Sequence, residues 1–229
     1  MNRNKKKKLI IFDMDGTLYA FKEGSFAKSA LKKQVLENAK NYIANVLKKS
    51  TTEAENILMG IEKKYGESIS IAMEKEFGIN RYDYFNIVWN IPAERFIDYN
   101  PELKTFLLNI AQEYDYVLVS DAPSVWVNNV LQMLDIRDMF QGKIYAGEGD
   151  RRKGLYNKFQ YNIASKFGCK SADCVVVGDQ ENTDIIPAKQ NGMRTILVSD
   201  KTESSVADCK IKDIFNLKET LEYIFFRPN

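Results

Sequence analysis

Asp13 and Asp15 stand one residue apart at the end of the apolar run Leu9-Ile10-Ile11-Phe12, and Gly16 follows them directly. Side chains on an extended segment alternate with period two, so an Asp-x-Asp pair presents both carboxylates on one face. Like charges that close repel, and burying them is costly unless a cation or a shared proton relieves the repulsion. A divalent metal is the simplest relief, and Gly16 allows the tight turn that leads the backbone away from it. The pair therefore points to metal-assisted chemistry at the carboxyl end of a buried strand.

The missing residue types narrow the chemistry further. The chain has no histidine, which excludes Ser-His-Asp and Cys-His catalysis, His-ligated zinc, phosphohistidine and an imidazole base. Acid–base work near neutral pH then falls to carboxylates, Lys, Tyr or Cys. The three cysteines, Cys169, Cys174 and Cys209, match no zinc spacing and read as reduced thiols of a cytoplasmic protein.

The elements that must position such a site are legible as periodicity. Short apolar runs at 9–12, 116–119, 174–177 and 195–198 read as buried strands. Helical patterns at 101–112, 123–134, 155–167 and 185–190 alternate with them, and a terminal helix is expected over 217–226. Gly168 and Gly192 stand where helix C-caps belong. Strands alternating with helices imply an α/β fold, a doubly wound (Rossmann-like) parallel sheet with right-handed crossovers. In such sheets the site lies outside the carboxyl ends of the strands. Those ends carry Asp13 and Asp15, then Ser120 and Asp121, then Gly178, Asp179 and Asp184. Each has a bland use as a helix cap or dipole complement, but together they make a convergent polar edge.

The stretch 21–97 is different, with helical spacing such as Ala39, Tyr42, Ile43, Val46 and Leu47 and no strand pattern. It reads as an all-helical insert between the first and second strands. At 229 residues the chain has room for a core plus such an insert. Lys+Arg 33 against Asp+Glu 31 leaves a net charge of +2, which gives no support for a nucleic-acid polymer as partner. The basic run Lys5–Lys8 reads as a solvated arm. No apolar run approaches about 20 residues, so no membrane span is expected, and the apolar stretch before Asp13 is too short for a signal peptide.

These residues resemble the haloacid dehalogenase-like hydrolase superfamily across nearly the whole chain. Asp13-Met14-Asp15-Gly16-Thr17-Leu18 is similar to its first motif, and Val117-Leu118-Val119-Ser120-Asp121 to its second. Gly178-Asp179-Gln180-Glu181-Asn182-Thr183-Asp184 is similar to its fourth. For the third, a lysine, the candidates are Lys143, Lys153 and Lys158. Lys153-Gly154 followed by Phe159 best resembles the family's Lys-Pro run heading a helix, with Gly in place of Pro. The insert resembles the family's C1 cap, dividing the chain into a catalytic core (1–20 and 98–229) and a cap (21–97).

The resemblance implies a Mg²⁺-dependent phosphatase. Asp13 would be the nucleophile that forms an aspartyl-phosphate, and Asp15 the general acid and then base. Ser120, the amide of Asp121 and Lys153 would bind phosphate. The metal would be held by Asp13, the Asp15 carbonyl, Asp179 and, directly or through its neighbours, Asp184. Asp15 argues for phosphate over halide chemistry, since the dehalogenases lack it. The expected substrate is a small phosphorylated metabolite, and the cap exit resembles the pyrimidine 5′-nucleotidase branch, which points to a nucleoside 5′-monophosphate. Tyr19, Phe21, Tyr84, Phe85 and Trp89 could stack on a base, or simply fill the insert's core. The alternatives are a phosphotransferase or sugar-phosphate mutase on the same core, and a non-catalytic binding protein on a decayed scaffold. The expected state is monomer or homodimer.

Overall fold

The computed structural model describes residues 7–66, 68–149, 152–153, 155–201 and 205–226. Its sheet contains β1 (Lys8–Phe12), β2 (Tyr114–Val119), β3 (Ile144–Tyr145), β4 (Cys174–Gly178), β5 (Arg194–Val198) and β6 (Cys209–Ile211). The six strands are all parallel in the order β3-β2-β1-β4-β5-β6. This is the doubly wound α/β arrangement expected from the alternation of strands and helices. The short strands β3 and β6 carry no readable periodicity and were not anticipated.

The stretch 21–97, between β1 and β2, forms four α-helices among the described residues, α1 (Ala30–Leu47), α2 (Thr51–Tyr65), α3 (Ile69–Phe77) and α4 (Arg81–Val88). Their starts are chemically specified. Ser29 caps α1 by accepting from the Lys32 amide at 3.1 Å, and Ser50 with Glu53 forms a capping box on α2. Ala39, Tyr42 and Ile43 of α1 are buried, Val46 is exposed and Leu47 is half-buried. Tyr84 meets Tyr42 edge-on at 5.5 Å, so Tyr84 and Phe85 serve as packing within the insert.

The remaining α-helices cover the sheet: α5 (Glu102–Glu113) leads into β2, and α6 (Ser124–Met133), α7 (Phe159–Lys166), α8 (Ile186–Gln190) and α9 (Leu217–Phe226) follow it. The strands are apolar on both faces, as a covered parallel sheet requires. Leu9 and Ile11 face α7 and α8, while Ile10 and Phe12 join the larger cluster that includes α5, α6 and α9. Helix α7 begins at Phe159, four residues later than its periodicity suggests, because 155–158 turn before it. A π-helical turn, Glu181–Ile185, precedes α8.

Within the basic run, Lys7 is exposed and Lys8 belongs to the sheet. Lys5 and Lys6 lie outside the described residues, as do Asp150, Arg151 and Gly154 around Lys153. Lys8 opens β1, pairs with Asp173 and sits 5.4 Å from the Phe225 ring. No helix among the described residues is long and apolar enough to cross a membrane.

Candidate active site

Three strands end level. Phe12 pairs with Leu118 on one side and Val177 on the other, and the Asp13 amide extends the ladder by donating to the Val177 carbonyl at 2.9 Å. The chain leaves β1 immediately after, so Asp13 and Asp15 stand beyond the strand end. Ser120 is placed by the edge strand β3, its amide donating to the Tyr145 carbonyl at 3.0 Å.

Asp13 is buried and held on both oxygens. Lys153 Nζ lies 2.5 Å from Oδ1, and Thr17 Oγ1 donates to Oδ2 at 3.3 Å. The same ammonium reaches Asp184 Oδ1 at 2.7 Å. Burial alone pulls the Lys153 ammonium down, but Asp13, Asp184 and Asp121 outweigh it and hold the group protonated well above the usual lysine range. Lys143, by contrast, lies over the Tyr116 ring at 4.9 Å.

Asp179 and Asp184 bring the second and third carboxylates. With Asp13 they form a cluster whose ligand oxygens all lie within 4.8 Å of one another. Burial raises both Asp179 and Asp184 above the usual carboxylate range, reinforced by each one's anionic neighbours; Lys153 opposes this at both. Asp184 Oδ2 accepts from the Gln180 amide at 3.1 Å, and Gln160 of α7 anchors the π turn by donating to the Thr183 carbonyl at 3.0 Å. Asp179 Oδ1 is buried without a hydrogen-bond partner. An orphaned anionic oxygen in a crowded carboxylate cluster is costly in a protein alone, and a hard divalent cation fits that donor set.

Two glycines make the crowding possible. A Cβ on Gly16 would fall 2.3 Å from Asp179 Oδ2, and its φ of +85° already disfavours a side chain. A Cβ on Gly178 would fall 2.4 Å from Asp184 Oδ2.

Asp15 is set apart from the carboxylate cluster. Its Oδ1 accepts from the Tyr19 hydroxyl and from Trp126 Nε1, the latter at 2.9 Å. Its Oδ2 accepts from Ser120 Oγ at 3.3 Å. Burial lifts the Asp15 carboxyl to about 6, while the Tyr19 and Trp126 hydrogen bonds pull it down. Tyr19, just ahead of the insert, thus meets the candidate site itself, unlike Tyr84 and Phe85, which pack within the insert. Trp126, Thr17 and Gln160 carried no assignment from the sequence, although Thr17 lies within the first motif and Trp126 in the first turn of the helix after the Ser120 strand end.

A cavity of about 960 Å³ opens beside this edge, with Gly16, Tyr19, Phe21, Phe26, Asp98 and Asp179 among its walls. It runs between the sheet edge and both connections to the insert. Hydrogen bonds join the insert to the core nearby: Arg81 Nη1 donates to the Glu148 carbonyl at 3.3 Å, and Asn129 Nδ2 to the Ile91 carbonyl at 3.0 Å and to Asn90 Oδ1 at 3.3 Å.

Comparison with known proteins places this geometry. A family model for haloacid dehalogenase-like hydrolases matches residues 7–192. The glyceraldehyde 3-phosphate phosphatase of Methanocaldococcus jannaschii is 27% identical over 227 residues, covering 94% of this chain and 96% of that protein. Among solved structures, a HAD phosphatase from Thermococcus onnurineus superposes with a TM-score of 0.64 at 21% identity, covering 93% of this chain and 97% of that one. A 2-haloacid dehalogenase from Pseudomonas syringae gives 0.60 at 15% identity, over 95% and 99% of the two chains. The HAD-hydrolase YfnB of Bacillus subtilis, solved with magnesium bound, gives 0.55 at 14% identity, over 97% and 100%. At these identities the structural matches speak to the fold alone.

Proposed function

The chain belongs to the haloacid dehalogenase-like hydrolase family and is a phosphatase, and from that premise we propose a Mg²⁺-dependent phosphomonoesterase that works through an aspartyl-phosphate. The observation that carries this reading is the double hold on Asp13, by Lys153 at 2.5 Å and Thr17 at 3.3 Å, beside an Asp15 that belongs to a separate network. Two carboxyl groups one residue apart are thereby given different environments, as a nucleophile and an acid–base group require.

Asp13 attacks the phosphorus in line, and the bond from phosphorus to the leaving oxygen breaks. The proton on Asp15 passes to that oxygen. Asp15, now a carboxylate, takes a proton from a water that attacks the phosphorus. The Asp13–phosphorus bond breaks, and inorganic phosphate leaves with Asp13 restored. Lys153 stays cationic throughout and offsets charge on Asp13 and the phosphoryl oxygens. Ser120 and the Asp121 amide bind those oxygens at the β2 end. Asp13, Asp179, Asp184 and the Asp15 carbonyl would hold Mg²⁺, which supplies charge neutralisation for a dianionic phosphate meeting a carboxylate.

The helical insert, 21–97, acts as a cap that reads the leaving group. The substrate is a small phosphorylated metabolite, and the archaeal relative that acts on glyceraldehyde 3-phosphate favours a phosphorylated short sugar. A nucleoside 5′-monophosphate is the second reading, supported by Tyr19, Phe21 and Phe26 in the cavity wall. Cys169, Cys174 and Cys209 stand as thiols, which supports a cytoplasmic setting.

Phosphate release from glyceraldehyde 3-phosphate, phosphoglycolate and nucleoside monophosphates, with Mg²⁺ or with excess EDTA, tests substrate and metal together. Asp13→Asn should lower the rate by about 10⁴-fold or more; unchanged release would sink the mechanism. Transfer of the phosphoryl group to a sugar in place of water would assign the chain to the phosphotransferases.

A further inference from the structure

The two oxygens of Asp15 have unequal surroundings. Oδ1 receives both the Tyr19 hydroxyl and the Trp126 indole N–H, whereas Oδ2 faces Ser120 at 3.3 Å. An indole N–H can only donate. Oδ1 is therefore committed to accepting, and a proton on this carboxyl resides on Oδ2. That is the oxygen on the Ser120 side, where phosphate is bound in the reading above.

Both donors are fixed. Trp126 is fully buried and Tyr19 is buried. Helix α6, which carries Trp126, is pinned at its first residue, where the Ser124 amide donates to Glu148 Oε1 at 2.8 Å and the Ser124 hydroxyl bonds Glu148 as well. One turn further on, Asn129 ties α6 to the Ile91 carbonyl. Tyr19 is four residues from Asp15 and joined to it by a backbone bridge. A carboxyl group on a turn has free rotation about χ2 unless something stops it, and here two rigid aromatic donors do.

We propose that Tyr19 and Trp126 are positioning residues, a two-donor clamp on Asp15 Oδ1 that keeps Oδ2 aimed at the leaving-group oxygen. This rests on the reading of Asp15 as the acid–base group. The clamp acts on orientation, so its loss should weigh most on leaving groups that need a proton in order to depart. General acid catalysis is worth about 10²–10⁴-fold, and a misaimed acid forfeits part of it.

The test measures kcat/KM, which reports the steps through phosphoryl transfer to Asp13, for p-nitrophenyl phosphate, phenyl phosphate and glycerol 1-phosphate. Tyr19→Phe, which removes one hydroxyl and little volume, should lower kcat/KM about tenfold on the alkyl ester and by less than about threefold on the nitrophenyl ester, with the loss in kcat and KM unchanged. Trp126→Phe should show the same slope with a larger loss, and Asp15→Asn the steepest. A loss equal across the three esters, or no loss, in both clamp variants while Asp15→Asn remains graded overturns the clamp alone. A flat profile in Asp15→Asn overturns the acid–base reading and the clamp with it. Should Trp126→Phe fail to fold, Tyr19→Phe decides the matter.

Discussion

The strand-end edge and the helical insert are both buried, yet they are built on opposite principles. At the edge, the ionisable side chains of Asp13, Asp184 and Lys153 are almost wholly withdrawn from water, and one Asp179 oxygen is left without a partner. In the insert the buried groups are largely apolar, as with Ala39, Ile43, Ala54 and Leu58. Two of its ion pairs, Lys49–Glu53 and Lys64–Glu76, lie out in solvent, where each is worth little; the buried Arg81, paired with Glu74, is an exception. The insert is stabilised by burial and helix capping; the edge holds mutually repelling groups in place because the sheet beneath it is rigid. The candidate site lies in the region whose local interactions are least favourable.

That contrast can be broken most severely at Gly16. Gly16→Ala adds a Cβ where Asp179 Oδ2 now lies and strains a φ of +85°. A displacement of about 1 Å at a reacting group costs about 10²-fold, so phosphate release should fall at least that far; near-normal kcat/KM would show that the edge tolerates repacking. In the insert, Leu58→Ala removes a buried side chain between helices and should cost about 2–5 kcal/mol in urea unfolding. Its kcat at temperatures where the fold survives should stay within about threefold of the parent.

Mg²⁺ should discriminate the two regions without any mutation at all. Binding at the carboxylate cluster stabilises the fold by about 2.7 kcal/mol at a hundredfold excess over Kd, read as a rise in Tm. Asp179→Asn should abolish most of that rise, while Leu58→Ala leaves its size unchanged. A Tm insensitive to Mg²⁺ in the parent protein would argue against the metal assignment.

The smallest effect belongs to the α2 capping box. Ser50→Ala should cost about 1 kcal/mol with phosphate release unaltered. Its partner Glu53 is exposed, and the Ser50 amide and hydroxyl hold its carboxyl down at about 2. A depressed acid adds stability above its ordinary value near 4.5 and loses it as pH falls toward about 2. Glu53→Gln should therefore flatten the acid limb of the stability curve over that window. An acid limb unchanged by the substitution would remove Glu53 from the capping argument.

Much of the fold was legible because strands β1, β2, β4 and β5 are local apolar runs bounded by turns. β3 and β6 were not, being two and three residues long, too short for any period to register. Yet β3 matters to the site, since its Tyr145 carbonyl sets the Ser120 amide. Lys153 was chosen from three lysines on its resemblance to the family's motif; its approach to Asp13 and Asp184 distinguishes its surroundings from those of Lys143, which lies over the Tyr116 ring. Tyr19 was grouped with the insert's aromatics because it stands beside the insert's start along the chain, and its hydroxyl bond to Asp15 sets it apart.

What the sequence determined by itself is the class of fold and the set of acidic residues at the strand ends, because both are written in neighbouring positions along the chain. The tertiary structure decided which groups those acids meet. Lys153 reaches Asp13 across 140 positions and Trp126 reaches Asp15 across 111. Contacts of that kind arise only when a level sheet edge brings distant loops within hydrogen-bonding distance, and no local pattern encodes which oxygen each donor will find.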